Sequence, residues 1–416
     1  MELSNADKAA LAGAKGPGAA MAHRIVVEAG QLLGADRLID IQSAHIDGAL
    51  YHGDAGVAFA ERLVNEGARV AVPATLNIGA LDLIHPGRVS LPAHERAMAG
   101  RLMAAYQVMG CKPTFTCAPY QAGHRPAFGA QVAWGESNAV AFCNAVLGAR
   151  TNRYGDFLDI ACAIAGRAPE YGLHLTCARA ATLLFDASAL PERLKASDVF
   201  WPVLGALVGA RAGEAVPAVA GVGAFAREDR LKAFAAAAAA TGAVGHFHII
   251  GHTPEAPTQD AAFQGAAPHE TIPLTPADLR ESRDRLTTAA GNTVNAVGIG
   301  SPHLSPPECR ALLAALNGRT LTLPLYANTG RHVVAALEAE GTIAALEAAG
   351  VTMVLDTCIV ATPILPGATG VLMTNSAKFA NYAPANIGHS VLFGSLEECV
   401  ETAVSGRLHR DPDLWR

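Results

Sequence analysis

The chain has 416 residues, of which 51% are hydrophobic and only 16% are charged, whereas about a quarter of the residues in a typical soluble domain are charged. This composition excludes intrinsic disorder as the general state of the chain. The 31 basic and 37 acidic residues give a formal net charge of −6, which excludes the strongly basic surface that holds nucleic acid or an anionic membrane.

Few charges and many apolar residues also predict burial of surface against another subunit. The longest apolar stretches, residues 200–210 and 233–245, are shorter than the roughly 20 residues that span a bilayer, so both are predicted to be buried elements. The amino terminus has no cationic segment that leads into an apolar one. We therefore expect no secretory signal and a cytoplasmic protein.

Helices that alternate with short β-branched strands predict an α/β fold, with layered sheets covered by helices. In chain order, the predicted elements are a helix over 4–13, a helix over 19–33, a strand over 37–41, a helix over 57–66, a strand over 69–73, a helix over 140–147, an alanine-rich helix around 235–240, a strand over 293–299, a helix over 343–348 and a strand over 352–355. The alanine-rich helix, which Lys232 flanks, is predicted to be structural only.

Glycine and proline clusters interrupt the middle of the chain. They favour three α/β domains over residues 1–110, 111–285 and 286–416. The eight cysteines include no Cys-x-x-Cys pair, which excludes a zinc ribbon, a thioredoxin site and a ferredoxin-type run. Any metal site must therefore be assembled from distant segments.

Loops at the predicted strand ends are rich in Ser, Thr, Asn and His, the setting expected for a small polar substrate. These loops cover residues 43–47, 73–77, 115–120, 133–138, 300–305 and 355–358. Near the carboxyl end, the hydroxyl of Ser376 stands two residues before the amine of Lys378 and close to Tyr382, a trio suited to proton transfer. No dinucleotide fingerprint, Gly-x-Ser-x-Gly elbow or Walker motif occurs, which argues against nicotinamide, acyl-transfer and nucleotide chemistry.

Several ordered motifs together resemble aconitase X, the divergent branch of the aconitase superfamily. They are Thr-Cys-Ala-Pro-Tyr at 116–120, Trp-Gly-Glu-Ser at 134–137, Leu-Gly-Ala-Arg-Thr-Asn at 147–152, Gly-Arg-Ala-Pro at 166–169, Tyr-Gly-Leu-His at 171–174 and Thr-Asn-Ser-Ala-Lys at 374–378. The similarity runs over nearly the whole chain and includes His45 and the segments 72–77, 253–256, 301–303 and 356–358.

The resemblance implies three α/β domains around a central cleft that holds an iron–sulfur cluster. It also implies a mobile fourth domain, the swivel domain, which is either fused at the carboxyl end or supplied by a separate small subunit. The segment 394–406 resembles the end of the large-subunit portion. We therefore expect a chain that lacks the swivel domain and pairs with a small subunit as a heterodimer.

The resemblance further implies an iron–sulfur hydro-lyase in which Cys117 and Cys358 fall on the cluster-ligand motifs. The third position holds Ser301 where the phosphomevalonate-type motif has cysteine, and a serine oxygen is a harder ligand than a thiolate. Three alternatives stay open, in this order: Ser301 completes a smaller cluster, a 2Fe–2S cluster being favoured; Cys111 or Cys309 substitutes; or the cluster is labile. The remaining cysteines are expected to be buried core thiols, namely Cys143, Cys162, Cys177 and Cys399.

Family members dehydrate cis-3-hydroxy-L-proline or mevalonate 5-phosphate. The departure at Ser301 and the alanine-rich composition favour the first, with Δ1-pyrroline-2-carboxylate as product. Ser376, oriented by Lys378, is the candidate base, and Arg150 with Lys378 could hold the substrate carboxylate, although Arg150 could equally form a helix-end salt bridge. Candidates for the other polar contacts are His45, Thr75, Asn77, Ser137, Asn138 and His303. A mevalonate 5-phosphate dehydratase and a non-catalytic binding or regulatory paralogue are the alternatives.

Overall fold

The computed structural model of the chain describes residues 1–367 and 369–415. These residues form two compact units. Unit 1 comprises Met1–Leu81 and Leu91–Ala180, and unit 2 comprises Asp82–Ser90 and the chain from Ala181 onward. Each unit packs helices on parallel strands, so the predicted α/β class is confirmed.

Unit 1 is built from short strands between longer helices. Its helices are α1 (Asn5–Leu11), α2 (Pro17–Leu32), α3 (Asp54–Asn65), α4 (Ala93–Val108), α5 (Ser137–Phe142) and α6 (Leu158–Ala165), and its strands are β1 (Leu38–Asp40), β2 (Ala44–Ile46), β3 (Ala74–Leu76), β4 (Ala133–Trp134) and β5 (Arg167–Pro169). The strands β3, β2 and β4 form a parallel sheet in that order, and β1 pairs with β5 in antiparallel orientation. Because parallel strands end at one edge of a sheet, the loops after β2, β3 and β4 gather there.

Unit 2 contains two parallel sheets. Its helices are α7 (Glu192–Lys195), α8 (Phe200–Ala212), α9 (Glu228–Thr241), α10 (Gln259–Ala262), α11 (Pro276–Arg285), α12 (Pro306–Leu316), α13 (Arg331–Glu338), α14 (Thr342–Ala348), α15 (Ala377–Ile387) and α16 (Leu396–Ser405), and its strands are β6 (Leu183–Asp186), β7 (Pro217–Ala220), β8 (His248–Ile249), β9 (Glu270–Pro273), β10 (Ala296–Leu304), β11 (Leu325–Thr329), β12 (Val351–Val354), β13 (Gly370–Thr374) and β14 (His389–Phe393). One sheet has the order β8-β7-β6-β9 and the other β12-β11-β10-β13-β14.

The larger sheet of unit 2 is buried, as expected for a parallel sheet with helices on its faces. All nine residues of β10, its central strand, are buried. The core around it includes Val297, Leu312, Leu325 and Val400. The two long apolar stretches form α8 and most of α9, and both helices are largely buried. No helix in the described ranges combines the length and the apolarity needed to cross a bilayer.

One predicted strand is wrong in position. Residues 69–73 were expected to form a strand, but the strand is Ala74–Leu76. The amides of Val70 and Ala71 donate instead to the carbonyls of Met109 and Ala163, which belong to no sheet. The strand begins only after Pro73, which has no backbone N–H to donate.

The predicted domain boundary near residue 110 falls inside unit 1. The chain after α4 returns to the sheet, because Lys112 bridges to Thr75 beside β3 and β4 pairs with β2. Residues before and after position 110 therefore share one sheet. The division into 1–110, 111–285 and 286–416 stays a prediction.

Candidate active site

His45 and Thr75 meet in the sheet of unit 1. The register places His45 of β2 opposite Thr75 of β3 and Trp134 of β4, and Thr75 Oγ1 lies 2.9 Å from His45 Nδ1. His45 is fully buried, and burial holds the pKa of its ring well below the usual value of 6.5. The ring is therefore neutral at physiological pH.

Asn77 and Asp47 follow neighbouring strands at the carboxyl edge of this sheet. The Asn77 amide donates a short hydrogen bond to the Asp47 carboxylate, and the Asp47 backbone amide donates to Asp159 Oδ2 at 2.7 Å. Burial raises the pKa of Asp159 well above its usual value. This shift reduces the negative charge that the Asp159 carboxyl places beside the edge.

Cys117 lies in a loop that leaves the same edge. The amide of Thr116 donates to the Leu76 carbonyl at 3.3 Å, and Phe115 adopts a left-handed conformation with φ of 41°. Cys117 is buried, and its carbonyl accepts a hydrogen bond of 3.1 Å from Asn138 Nδ2. The structure thus brings two predicted site residues together, one proposed as a metal ligand and one as a substrate contact.

Three predicted substrate contacts of unit 1 carry buried polar atoms with no hydrogen-bond partner in the described parts of the chain. They are His45 Nε2, Asn77 Oδ1 and Asn138 Oδ1. A buried polar atom without a partner costs about 1–3 kcal/mol. A bound polar ligand would remove that cost, so these atoms are the strongest candidates for ligand contacts in unit 1.

The side chains of Ser137 and Arg150 have partners within the protein. Ser137 begins α5, and its Oγ lies 3.4 Å from Glu136 Oε1. Arg150 donates from Nη1 to the His174 carbonyl at 3.1 Å, a contact that holds the 171–175 segment. The predicted substrate contacts of both residues stay predictions.

The Cys358 loop of unit 2 is fixed by a charged pair. Cys358 is buried, and Asp356, two residues earlier, has φ of 61°. Two hydrogen bonds, of 2.6 and 2.5 Å, join the Arg331 guanidinium to the Asp356 carboxylate. Left-handed non-glycine residues are uncommon and cluster at functional sites. The Cys117 loop has the same feature, because Phe115, two residues before Cys117, also has a positive φ.

Asn328 links the Cys358 loop to the end of β10. Its Nδ2 donates to the Ile299 carbonyl at 2.7 Å, and its Oδ1 accepts from the Ile359 amide at 3.0 Å. The two segments that carry Ser301 and Cys358 are therefore held side by side within unit 2.

His303 makes a second link between the same segments. Its Nε2 lies 3.1 Å from the Thr357 carbonyl, and because a carbonyl only accepts, this nitrogen carries the hydrogen. Burial lowers the pKa of His303 to about 3, so the ring is neutral. This hydrogen bond ties His303 to the Cys358 loop, and the predicted contact of His303 with substrate stays a prediction.

Ser376 and Ser301 line one cavity in unit 2. Its walls are formed by Pro202, Lys232, Ala233, Gly300, Ser301, Pro302, Leu304, Glu308, Asn375, Ser376 and Ala377. The Ser376 hydroxyl accepts a hydrogen bond of 3.0 Å from the Phe379 amide and donates a short one to the Ser301 carbonyl. It therefore caps α15, and Lys378 lies in the first turn of that helix.

Lys232 is a residue of this cavity that the sequence reasoning missed. Its side chain is almost fully buried and pairs with Glu308 and with Asp229, the latter at 3.1 Å, and its Nζ donates to the His303 carbonyl at 3.1 Å. Burial lowers the pKa of Lys232, but the two carboxylates outweigh burial and raise it above the usual value. The available signal was Asp229 three residues before a lone lysine in an alanine-rich helix.

Five of the other six cysteines are buried and one is exposed. Burial raises the pKa of the Cys111 and Cys309 thiols to about 12, so neither is a thiolate at physiological pH in the absence of a metal. Cys143, Cys162 and Cys399 are buried, as expected. The expectation that Cys177 is buried was wrong: it is exposed in a short 3₁₀ segment, Thr176–Arg179.

The donor set fits an iron–sulfur cluster in chemistry. Cys117 and Cys358 are buried, and neither forms a disulfide. Among residues 1–367 and 369–415, no group of three or more His, Cys, Asp or Glu side chains could hold a metal ion. The predicted ligands Cys117, Cys358 and Ser301 include only two residues of these four types, so the predicted set is not a group of that kind. Its two cysteines offer sulfur, the ligand atom that iron–sulfur clusters use.

Family models of aconitase X match most of the chain. The aconitase X first domain matches residues 1–177, the second domain residues 181–284 and the third domain residues 294–405.

Two kinds of characterised relative are similar to the chain. A cis-3-hydroxy-L-proline dehydratase from Pseudomonas aeruginosa is 44% identical over 98% of this chain and 71% of the relative, and one from Hypocrea jecorina is 40% identical over 98% and 69%. A phosphomevalonate dehydratase large subunit from Thermococcus kodakarensis is 35% identical over 97% of this chain and 100% of the relative. The crystal structure of Thermococcus kodakaraensis aconitase X in its holo-form superposes with a TM-score of 0.84 at 32% identity, covering 97% of this chain and 100% of that one.

Proposed function

Because the chain belongs to the aconitase X family and is a dehydratase, we propose that its substrate is cis-3-hydroxy-L-proline. The observation that carries this proposal is the higher identity to the two cis-3-hydroxy-L-proline dehydratases, 44% and 40% over 98% of the chain, compared with 36% or less to the phosphomevalonate dehydratase large subunits. The reaction removes the C2 proton and the C3 hydroxide as water. The enamine product then tautomerises to Δ1-pyrroline-2-carboxylate.

The charge of the cavity in unit 2 agrees with an unphosphorylated substrate. Lys232 is the single cation among the described residues that line it, and its charge is balanced by Glu308 and Asp229. A phosphate group binds best where cationic donors are available to it. This lining therefore favours a small hydroxy acid over mevalonate 5-phosphate.

We propose that Cys117, Cys358 and Ser301 hold an iron–sulfur cluster, most simply a 2Fe–2S cluster. When bound, such a cluster supplies a Lewis acid that assists the departure of hydroxide. The chain's own contribution is to orient the ligand loops: Asn138 holds the Cys117 carbonyl, and Arg331 fixes Asp356 beside Cys358. Dehydration of the hydroxy acid then also requires a base that removes the C2 proton.

Ser376 is the proposed base. A serine hydroxyl takes a proton only after losing its own, so its surroundings must favour negative charge on Oγ. The Phe379 amide donates to this oxygen at 3.0 Å, and Ser376 stands at the amino terminus of α15, where the helix dipole stabilises an anion. Lys378, in the first turn of α15, adds positive charge at the same end of the helix.

The substrate contacts proposed for unit 1 are His45, Asn77 and Asn138, with Thr75, Ser137 and Arg150 as further candidates. The first three carry buried polar atoms without partners in the described ranges. The amide oxygens of Asn77 and Asn138 accept hydrogen bonds, and an amino acid substrate offers an ammonium and a hydroxyl as donors.

We also propose a small-subunit partner that carries the swivel domain. The support is that relatives named as large subunits match this chain over as much as 100% of their length. Co-expression with a small aconitase X subunit should yield a complex that elutes as one species in size-exclusion chromatography. Separate elution of the two chains would contradict this proposal.

The substrate proposal is tested by anaerobic incubation of the iron-loaded protein, with its small subunit where one is required, with each hydroxy acid in turn. We expect Δ1-pyrroline-2-carboxylate to form from cis-3-hydroxy-L-proline, detected with o-aminobenzaldehyde, and no dehydration of mevalonate 5-phosphate. Turnover of mevalonate 5-phosphate alone would overturn the proposal. A Ser376→Ala variant that keeps its iron should lose turnover.

A further inference from the structure

Four side chains of unit 1 form a continuous hydrogen-bonded relay. Ser43 Oγ lies 2.8 Å from His124 Nε2, His124 Nδ1 lies 2.7 Å from Thr75 Oγ1, and Thr75 Oγ1 lies 2.9 Å from His45 Nδ1. The relay ends at His45 Nε2, which is buried and has no partner in the part of the chain that the structure describes.

The rings of the relay are held in place from one side. Trp134 is fully buried, and its ring packs against both imidazoles, with centroids 5.6 Å from His45 and 5.0 Å from His124. The strand register fixes Thr75, His45 and Trp134 in one row across the sheet. Neither imidazole ring can therefore rotate freely about its Cβ–Cγ bond, a rotation that would change where its two nitrogens point.

When both rings are neutral, only two arrangements make both Thr75 contacts hydrogen bonds and use the Thr75 hydroxyl hydrogen in one of them. Burial lowers the pKa of His45 well below its usual value and that of His124 to about 4, so neutral rings are the rule at physiological pH. Thr75 has a single hydroxyl hydrogen and lies between two ring nitrogens. It donates to one ring and accepts from the other, so the two histidines must carry opposite tautomers.

The two arrangements leave different ends of the relay without a partner. If His124 Nε2 carried the hydrogen, the Ser43 hydroxyl would accept it, and its own hydrogen would have no acceptor among the described residues. If Ser43 donates to His124 Nε2, then His124 donates from Nδ1 to Thr75, and Thr75 donates to His45 Nδ1. Each arrangement leaves one donor without an acceptor among the described residues, the Ser43 hydroxyl in the first and His45 Nε2–H in the second, but a ligand oxygen at His45 Nε2 completes only the second.

We propose that Ser43, His124 and Thr75 are positioning residues that hold His45 as the Nε2–H tautomer, so that this ring donates a hydrogen bond to an oxygen atom of the bound hydroxy acid. The identity of the acid rests on the proposed function, whereas the tautomer does not. A buried N–H donor requires an acceptor, and the carboxylate and hydroxyl oxygens of a hydroxy acid are acceptors of the required kind.

The tautomers are measured directly by nuclear magnetic resonance on the full chain labelled with ¹⁵N-histidine. Long-range ¹H–¹⁵N correlation distinguishes protonated from bare ring nitrogens, and His45→Gln and His124→Gln assign the two spin systems. We expect His45 as the Nε2–H form and His124 as the Nδ1–H form. An Nδ1–H form of His45 in the unmodified chain would overturn the proposal. The variants serve only to assign the signals, and the tautomer itself is measured on the unmodified protein.

Ser43→Ala tests whether the relay transmits the constraint. We expect the His45 signals to shift towards the Nδ1–H form, the KM for cis-3-hydroxy-L-proline to rise about tenfold as one hydrogen bond to substrate is lost, and Ser43→Thr to restore both. A His45 tautomer unchanged in Ser43→Ala would overturn the relay.

Ligand addition separates this proposal from the substrate assignment. Cis-3-hydroxy-L-proline should move the His45 Nε2 resonance, and turnover without such a shift would overturn the contact. If the tautomers and their response to Ser43→Ala are as expected but no hydroxy acid is dehydrated, the relay is supported and the proposed substrate fails.

Discussion

Ser301 is the residue at which the proposed cluster differs most from an all-cysteine site. A thiolate binds iron more strongly than a serine oxygen because it is softer and more easily deprotonated. We predict that Ser301→Cys retains iron longer in air than the unmodified protein. The measurement is the half-life of protein-bound iron after exposure to oxygen.

Cys309→Ala is the matched control for this substitution, because its thiol is buried and has a pKa of about 12. It should leave the half-life unchanged. Equal iron loss from Ser301→Cys and the unmodified protein would contradict the assignment of Ser301, and faster loss from Cys309→Ala would favour Cys309 as the third ligand.

The sequence locates residues at strand ends better than it locates their partners. Asn77 and Cys117 follow predicted strand ends, and the carboxyl ends of parallel strands gather at one edge, so their placement there was predictable. Ser43 and His124 were missed because they meet across 81 residues of chain, and no local pattern marks such a contact. Lys232 was missed because its carboxylate partner Glu308 lies 76 residues away.

The backbones of helices α8 and α9 approach closely, and two glycines of α8 permit it. A Cβ at Gly205 would lie on the Phe234 backbone, and one at Gly209 would lie within 2.8 Å of the Ala238 Cα. We predict that Gly205→Ala lowers the free energy of unfolding by about 1–3 kcal/mol, because overpacking outweighs the better helix propensity of alanine. Urea denaturation gives this value.

Gly56→Ala in α3 is the control for propensity alone. A Cβ there meets no atom within 4 Å in the described chain, so the substitution should stabilise the protein by about 0.5–1 kcal/mol. If both substitutions changed the free energy of unfolding in the same direction, the close approach of α8 and α9 would not limit residue size at position 205.

Elements with strong local signals were predicted closely. The Ser4 capping box marks the start of α1, and the predicted helix over 343–348 and strand over 352–355 correspond to α14 and β12. The predicted helix over 140–147 is α-helical only up to Phe142, where α5 ends, and Cys143–Leu147 continues as a π-helical turn. Arg179 donates to the Asn144 carbonyl there, a tertiary contact without a sequence signal.

At the scale of the whole molecule, buried neutral histidines predict loss of stability in acid. Burial lowers the pKa of His174 from 6.5 to about 4. Below pH 6.5 the unfolded chain therefore binds a proton that the folded chain does not, so the free energy of unfolding falls as the pH falls towards 4. The slope is about 1.4 kcal/mol per pH unit for one such histidine.

The difference between the unmodified protein and His174→Gln isolates this contribution. Urea denaturation at pH 6.5 and pH 4.5 should show a smaller loss of stability for the variant than for the unmodified protein. Identical losses would mean that His174 is protonated in the folded state. His124 and His303, whose pKa values burial lowers to about 4 and about 3, should add to the total loss in the same direction.

The iron and sulfide content of anaerobically purified cysteine variants tests the proposed cluster. The unmodified protein should hold about two iron atoms per chain, Cys117→Ala and Cys358→Ala should each lose nearly all of them, and Cys143→Ala should keep its iron while losing roughly 1 kcal/mol of stability. Iron content equal to that of the unmodified protein in either Cys117→Ala or Cys358→Ala would contradict the proposed cluster and the chemistry built on it.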